Sequence, residues 1–398
     1  INSKVIQPTS CEEEIESRSR VMRNKSKILI YAMVSIRVRS LSSLARVDLR
    51  SDTVTLPTEA MSKAMQSAKC DDDVLGRDPT VQKLEERVAH MLDKEDAVFV
   101  PSGTQANLIA VMAHCWERSC EYIVGDAAHI YLYEQGGGAV VGGAHPRVVP
   151  TQDDGSLSLD TVESLIRSDD PHFPVSKLFC LENTHNVKGG TVLTQEYMKQ
   201  ARKLCDRKQL KLHLDGARLW HAAHALDLSM AQICADADSI AVCLSKALGA
   251  PAGSLLVADS DTIAKAKRLR KLLGGAMRQS GVLAAAGLIA LDEQFPKLPQ
   301  DHFRAATIAD AIQAEYLRDF VQIERYPETN ILFLNLHPDA HVDPDALVPY
   351  CAEEHDVHFL QIGKPGRYRL VLHHQVDDSK LERTIAALRG ARDKLLSN

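Results

Sequence analysis

No stretch of this chain approaches the roughly 20 uninterrupted apolar residues that a membrane-spanning helix needs. The best run, residues 28–36, is short and flanked by Lys27 and Arg37. A soluble protein with no membrane partner is the expectation. A basic excess is missing too: 47 Lys and Arg stand against 53 Asp and Glu, a net charge of −6. Nucleic acid is therefore not an expected partner, because no basic face is on offer for phosphates. The nine cysteines form no CxxC, are odd in number, and fall in apolar runs such as LFCLEN and IAVCLSK. That pattern describes reduced, buried thiols rather than a disulfide framework, and points to the cytoplasm. One absence is local: Ser17 to Val47 contains no Asp or Glu, while Arg18, Arg20, Arg23, Lys25, Lys27, Arg37, Arg39 and Arg46 are spread among Ser and Leu. This is the composition of a mitochondrial presequence. It is equally that of a disordered leader or translated upstream sequence, with Met22 and Met33 as alternative starts. Both readings put residues 1–46 outside the fold, and the first makes the compartment mitochondrial.

With 398 residues the chain exceeds what a single core usually fills, so two lobes are expected. From Val47 onward, β-rich runs (97–101, 121–124, 147–150, 177–182, 211–215, 239–244 and 254–258) alternate with segments of helical period at 81–92, 105–114, 159–167, 195–207 and 261–273. Such alternation predicts an α/β sheet, mostly parallel, with helices on both faces and ligands at the strand C-termini. Past a linker FPKLPQ (295–300) the pattern changes. A helix is expected near 305–317, then NILFLNL, a helix from Asp345, VHFLQ, RYRLVLH and a last helix from Ser379. The expected division is 47–295 as a large α/β domain and 296–398 as a smaller α+β domain.

Two residues carry the chemistry. Asp215 ends the apolar run of HLDGARL, and Lys246 follows another in VCLSKALGAP, just before the turn with Gly249, Pro251 and Gly253. A lysine amine can hold a cofactor aldehyde covalently while an aspartate keeps a pyridine nitrogen protonated, which is the machinery of pyridoxal 5'-phosphate chemistry. Each residue alone has a plainer reading, Lys246 as a snorkelling surface amine and Asp215 as a helix cap. In PSGTQAN (101–107), Gly103 and Thr104 open a helix where phosphate would meet free N–H groups, or where an ordinary N-cap turn would sit.

The successive blocks DLRSDTVTLPT (48–58), DDDVLGRDPTV (71–81), FVPSGTQAN (99–107), AAHIYLYEQGG (127–137), LENTHNVKGG (181–190), HLDGARL (213–219), CLSKALGAPAGS (243–254) and RKLLGGAMRQSG (270–281) resemble the low-specificity L-threonine aldolases. These belong to the β-eliminating lyase group of fold-type I pyridoxal phosphate enzymes. The resemblance implies an aspartate aminotransferase-like large domain and cleavage of L-threonine or L-allo-threonine to glycine and acetaldehyde. It implies Lys246 as the cofactor lysine, Asp215 as partner of the ring nitrogen, and Gly103 and Thr104 as the phosphate cradle. His129 would stack on the ring, and His129 or His185 would act as base. Arg218, Ser51 and Arg369 would hold the substrate carboxylate, with Tyr133 lining the same pocket. Lys271 would serve the substrate and Arg278 the phosphate, the latter across a subunit boundary. A small amino-acid substrate and a homo-oligomer that is a dimer of dimers follow from the same likeness; no residue is singled out as a metal ligand, and the sequence is silent on bound ions. Departures from the family pattern are Leu75, Arg77, Ala247, Ala276 and Leu372. They leave open a lyase or racemase acting on another amino acid, or an inactive paralogue.

Overall fold

The computed structural model describes residues 46–314 and 316–397. The expected leader, 1–46, lies outside the described residues save for Arg46. Seven strands form the central sheet: β1 (Asp96–Val100), β2 (Cys120–Gly125), β3 (His145–Val149), β4 (Val175–Glu182), β5 (Lys211–Gly216), β6 (Ser239–Cys243) and β7 (Ser254–Ala258), in the order β1-β7-β6-β5-β4-β2-β3. The pairs from β6 across to β3 are parallel, whereas β7 runs antiparallel to both β6 and β1. The sheet is thus mostly parallel, as the alternation predicted. β2, β6 and β7 are buried at every residue, which is why they read as continuous apolar runs rather than as alternating ones.

β5 is different. His213 and Asp215 are both buried, and their i, i+2 spacing points both at one face of the sheet. That face is covered by α3 (Gly103–His114), whose first turn is capped by the Ser102 hydroxyl accepting from the Gln105 N–H. Earlier in the chain lie α1 (Glu59–Gln66) and α2 (Pro79–Met91), and α2 starts where the Asp78 carboxylate accepts from the Thr80 and Val81 N–H groups. The expected helices at 159–167, 195–207 and 261–273 are α4 (Leu159–Leu165), α5 (Gln195–Lys208) and α7 (Ser260–Leu272); α6 (Leu219–Leu226) follows β5.

Two features depart from expectation. FPKLPQ is not a linker: Phe295–Lys297 form a single tight turn that runs directly into α9 (Leu298–Gln313). Pro299 sits in the first turn, where no N–H is needed and a fixed φ suits the helix. The second is α8 (Gly281–Glu293), which packs between α1 and α2 and buries Gly281, Ala284, Ala285, Ala286, Gly287, Ala290 and Leu291. A helix that is apolar all round has no period to read. A Cβ at Gly287 would come within 2.7 Å of the Leu244 side chain, so glycine lets this helix close on the strand end that leads to Lys246.

The C-terminal part builds an antiparallel four-stranded sheet in the order β10 (Leu360–Gln361), β11 (Arg367–Val371), β9 (Ile331–Leu336), β8 (Val321–Ile323), flanked by α10 (Leu347–His355) and α11 (Asp378–Leu395). VHFLQ is broken into two short strands, Val357–His358 and β10. Asp48–Asn398 cluster as one compact unit. Among the described residues no helix is long and apolar enough to cross a membrane.

Candidate active site

The C-terminal ends of β2, β4, β5 and β6 and the N-terminus of α3 supply the site. Past β2 a short helix, His129–Leu132, raises the His129 ring, whose Nδ1 lies 2.9 Å from Glu134 Oε1. The same oxygen accepts from Asn107 Nδ2 at 2.9 Å, and Asn107 Nδ2 also donates to Asp215 Oδ2 at 3.0 Å. The other Asp215 oxygen accepts from the Ala217 N–H at 3.1 Å. Donor and acceptor atoms of His129, Glu134 and Asp215 all lie within 4.8 Å of one another. Burial drags the His129 imidazole down, but the Glu134 hydrogen bond and the Asp215 charge outweigh it and its pKa is raised. Glu134 is also raised, chiefly by burial and despite the His129 bond.

Arg218, in the turn between β5 and α6, is buried and grips Asp52 with two parallel bonds, Nε to Oδ2 at 2.8 Å and Nη2 to Oδ1 at 2.7 Å. Burial works against the Asp52 charge, yet the Arg218 guanidinium wins and holds the carboxyl well below the usual range. The third nitrogen, Nη1, faces Asn186 Oδ1 at 3.5 Å, and Arg369 Nη1 donates to that oxygen at 3.1 Å. Two guanidinium groups thus converge on one carboxamide. Arg369 Nη2 donates to the Arg50 carbonyl, while its Nε is buried with no partner. The Glu182 carboxylate at the end of β4 ties the two halves together by accepting from the His129 N–H at 2.7 Å and the Asn186 N–H at 2.8 Å.

Lys246 lies in the loop joining β6 to β7. Its carbonyl accepts from the Thr55 hydroxyl and the Gly249 N–H, each at 2.8 Å, and its charge is felt by both Asp52 and His129. Gly249 (φ +76) and Gly253 (φ +109) take backbone conformations that side chains resist, and a Cβ on Gly253 would sit 2.4 Å from the Phe99 ring. A Cβ on Gly103 would meet Cys243 Sγ at 2.7 Å, so α3 reaches the end of β6 only through glycine. Thr104 is exposed beside it.

The remaining expected residues are less tightly gathered. Ser51 is a turn cap whose hydroxyl accepts from the Thr53 N–H at 3.2 Å, beside Asp52. Tyr133 is 50% exposed and its ring centroid lies 5.5 Å from that of His129. His185 is buried, bridged through its backbone to Thr191, with ring Nδ1 lacking a partner. Arg278 is largely exposed and pairs with Asp72 at 2.7 Å, and Lys271 lies exposed in the last turn of α7. Leu75, one of the departures, is 62% exposed. Asp52, Asn107, Glu134, Glu182 and Asn186 were not singled out from the sequence, although each stands inside one of the quoted blocks, within a few residues of a chosen one.

A cavity of about 560 Å³ adjoins this group, lined in part by Leu132, Val187, Arg325 and Arg367. Another, of about 840 Å³, opens at the opposite end of the strands, beside the starts of β1, β5 and β6, and contains none of these residues. Its charges satisfy each other, with Lys211 and Arg202 both bound to Asp238.

Residues 48–338 match the β-eliminating lyase family. Low-specificity L-threonine aldolase 1 of Arabidopsis thaliana is 45% identical over 350 residues, 87% of this chain and 96% of that protein. The low specificity L-threonine aldolase of Escherichia coli K12 is 48% identical over 290 residues, 73% of this chain and 84% of that one. Among solved structures, a threonine aldolase of Leishmania major superposes with a TM-score of 0.74 at 22% identity, covering 87% of this chain and 99% of the other, which establishes a common fold. With its strands, its buried carboxylate and its lysine loop in this arrangement, the chain belongs to the β-eliminating lyase family.

Proposed function

We propose that this lyase binds pyridoxal 5'-phosphate and cleaves L-threonine and L-allo-threonine to glycine and acetaldehyde. The family and its fold-type I neighbours are pyridoxal phosphate enzymes. This chain has what the cofactor asks of a protein: an amine on the β6–β7 loop, a buried carboxylate for the ring nitrogen, and a helix N-terminus that glycine lets pack against the end of β6. When bound, the cofactor supplies an electron-withdrawing ring into which the broken bond's electrons can delocalise.

In this reading Lys246 Nζ would hold the cofactor aldehyde covalently. The Asp215 carboxylate accepts the ring N–H, and the α3 terminus at Gly103 and Thr104 receives the phosphate, with Arg278 nearby. Arg218 turns one edge to Asp52 and would offer Nη1, held in the structure only by a long 3.5 Å bond to Asn186, to the substrate carboxylate; Arg369, Ser51 and Lys271 would complete that contact. A carboxylate held there would fix the substituents at the substrate's Cα and so select which of its bonds is cleaved. His129 stacks on the ring and, with His185, supplies the base that takes the β-hydroxyl proton, while Tyr133 lines the pocket. The observation that carries the reading is Asp215: a buried carboxylate with one donor on each oxygen, which leaves it lone pairs to accept a further bond.

The division into 47–295 and 296–398 and a dimer-of-dimers assembly belong to the same proposal. So does a cytoplasmic location, supported by cysteines that are free among the described residues and mostly buried.

The test is an absorbance spectrum of the purified protein before and after borohydride, followed by L-threonine with an acetaldehyde assay, with Lys246→Ala alongside. The expected result is a visible cofactor band trapped by borohydride on Lys246, and acetaldehyde release that the variant loses. A trapped cofactor without acetaldehyde from any β-hydroxy amino acid would redirect the reading to another substrate or an inactive paralogue. Absence of the band removes the cofactor.

A further inference from the structure

Behind Asp215 a line of polar side chains runs through the core to the far end of α3. Asn107 Oδ1 lies 3.1 Å from His213 Nε2, His213 Nδ1 lies 2.8 Å from Ser239 Oγ, and Ser239 Oγ lies 2.8 Å from His114 Nε2. Asn107, His213 and Ser239 are buried, and β5, β6 and both ends of α3 each contribute a member.

The direction of every hydrogen bond in this line follows from its first member. Two carboxylates, Asp215 and Glu134, face the same Asn107 nitrogen, so that atom must be the NH₂ and the carboxamide oxygen must point to His213. His213 then carries its proton on Nε2 and accepts on Nδ1 from the Ser239 hydroxyl. The Ser239 oxygen in turn accepts from His114 Nε2–H. Burial pushes His213 down to about 4 and His114 down to about 3, so both rings are neutral near pH 7 and a single tautomer of each fits. All the donors therefore point the same way, towards the two carboxylates. Aligned bonds polarise one another and strengthen the last donor. A carboxamide does not pass a proton on, so the line fixes dipoles and transports nothing.

The charged groups facing Asn107 are Asp215 from β5 and Glu134 from the segment after His129–Leu132, and both gain when their ionised forms are hydrogen-bonded. A proton shared between Asp215 and a ring nitrogen then resides on the nitrogen. A proton shared between Glu134 and His129 resides on the imidazole. We propose that Asn107, oriented by the His213–Ser239–His114 line, is a positioning residue that biases both protons at once, onto the cofactor's ring nitrogen and onto His129. This rests on the proposed cofactor and goes beyond it, because it makes the electron sink and the histidine over it respond to one carboxamide. Sequence spacing adds a mechanical reason: Asn107 stands one helical turn after Gly103, so the helix that would receive the phosphate also orients the ring's other end.

The test uses holoenzyme loaded with pyridoxal phosphate labelled with ¹⁵N in the ring, where the nitrogen resonance reports protonation directly. Wild type is expected to keep the ring nitrogen protonated up to pH 9. Asn107→Leu, of similar shape with no donor, is expected to shift the resonance towards the unprotonated position. It should lower kcat for L-threonine roughly tenfold or more with little change in KM, since the carboxylate contacts lie elsewhere. His213→Phe, which touches neither carboxylate, is expected to move the same resonance the same way by less, and it decides the matter should Asn107→Leu fail to fold. Wild type with an unprotonated ring nitrogen, or folded variants with the wild-type resonance and kcat, would overturn this inference alone. A wild-type protein that takes up no cofactor sinks the functional reading, and this inference with it.

Discussion

Asp52 and Arg218 meet edge to edge in the interior, two parallel bonds of 2.7 and 2.8 Å between groups that are both buried. The pair occupies one edge of the Arg218 guanidinium and leaves Nη1, which faces Asn186, as the nitrogen turned away from Asp52. Removing one member of a buried pair strands the other, at a cost of roughly 3–5 kcal/mol. Asp52→Ala is expected to lose about that much stability in urea melts and to raise KM for L-threonine as the guanidinium swings free. A melt that matches wild type would mean that solvent reaches Arg218.

Asn186 offers a cleaner separation of binding from chemistry. Its oxygen accepts from Arg369 and faces Arg218, and its N–H is held by Glu182. Asn186→Leu leaves two neighbouring cations without the acceptor between them, and steady-state kinetics should give a KM raised roughly tenfold with kcat little altered, the signature of lost uniform binding. A fall in kcat at constant KM would place Asn186 in the chemical step instead.

Gly103 and Cys243 make a pair that can be tested by complementation. The Cβ of Gly103→Ala would lie 2.7 Å from Cys243 Sγ, an overpacking that typically costs roughly 1–3 kcal/mol. Cys243→Ala removes the obstructing sulfur, so the double variant should recover most of the loss, visible as a coupling energy in a double-mutant cycle. Strictly additive losses would show that α3 and the end of β6 do not approach as described.

Asp301, in the first turn of α9, is buried, and burial raises its carboxyl to about 7, with Arg304 opposing and the Asp52 charge assisting. A folded-state pKa above the unfolded value means that the native chain binds the extra proton, so the native state gains at low pH and loses that gain as pH rises from about 4 through about 7. Asp301→Asn carries no such burden. Relative to wild type it should be more stable at pH 8 than at pH 5, by roughly 1–3 kcal/mol, in paired melts at the two values. Equal differences at both would show that the carboxylate is solvated.

These expectations draw on residues of two kinds, and only one was legible in the sequence. Asp215 and Lys246 announce themselves through their own neighbours, because a charged residue at the end of an apolar run is a local signal. The strands and most helices were readable for the same reason, being patterns of period and burial. Asp52 was not, since its partner stands 166 residues away and nothing in RSDT says which of two polar neighbours turns inward. Asn107 reads as an ordinary interior helix residue until His213 and Asp215, over 100 positions later, are brought against it. α8 escaped because uniform burial erases periodicity, and the antiparallel course of β7 because a short apolar run carries no direction.

The antiparallel β7 has one more implication, for how the chain is made. β1, which delivers the chain to Gly103, pairs among the described residues with β7 alone, Asp96 opposite Ala258 and Val100 opposite Ser254. A ribosome that has released only the first six strands has therefore made α3 but not the strand that anchors its approach. Completion of residues 254–258 supplies that anchor and, in the same stroke, closes the loop that presents the Lys246 amine. The approach to α3 and the loop that carries Lys246 are thus completed by one strand, well after α3 itself has been made.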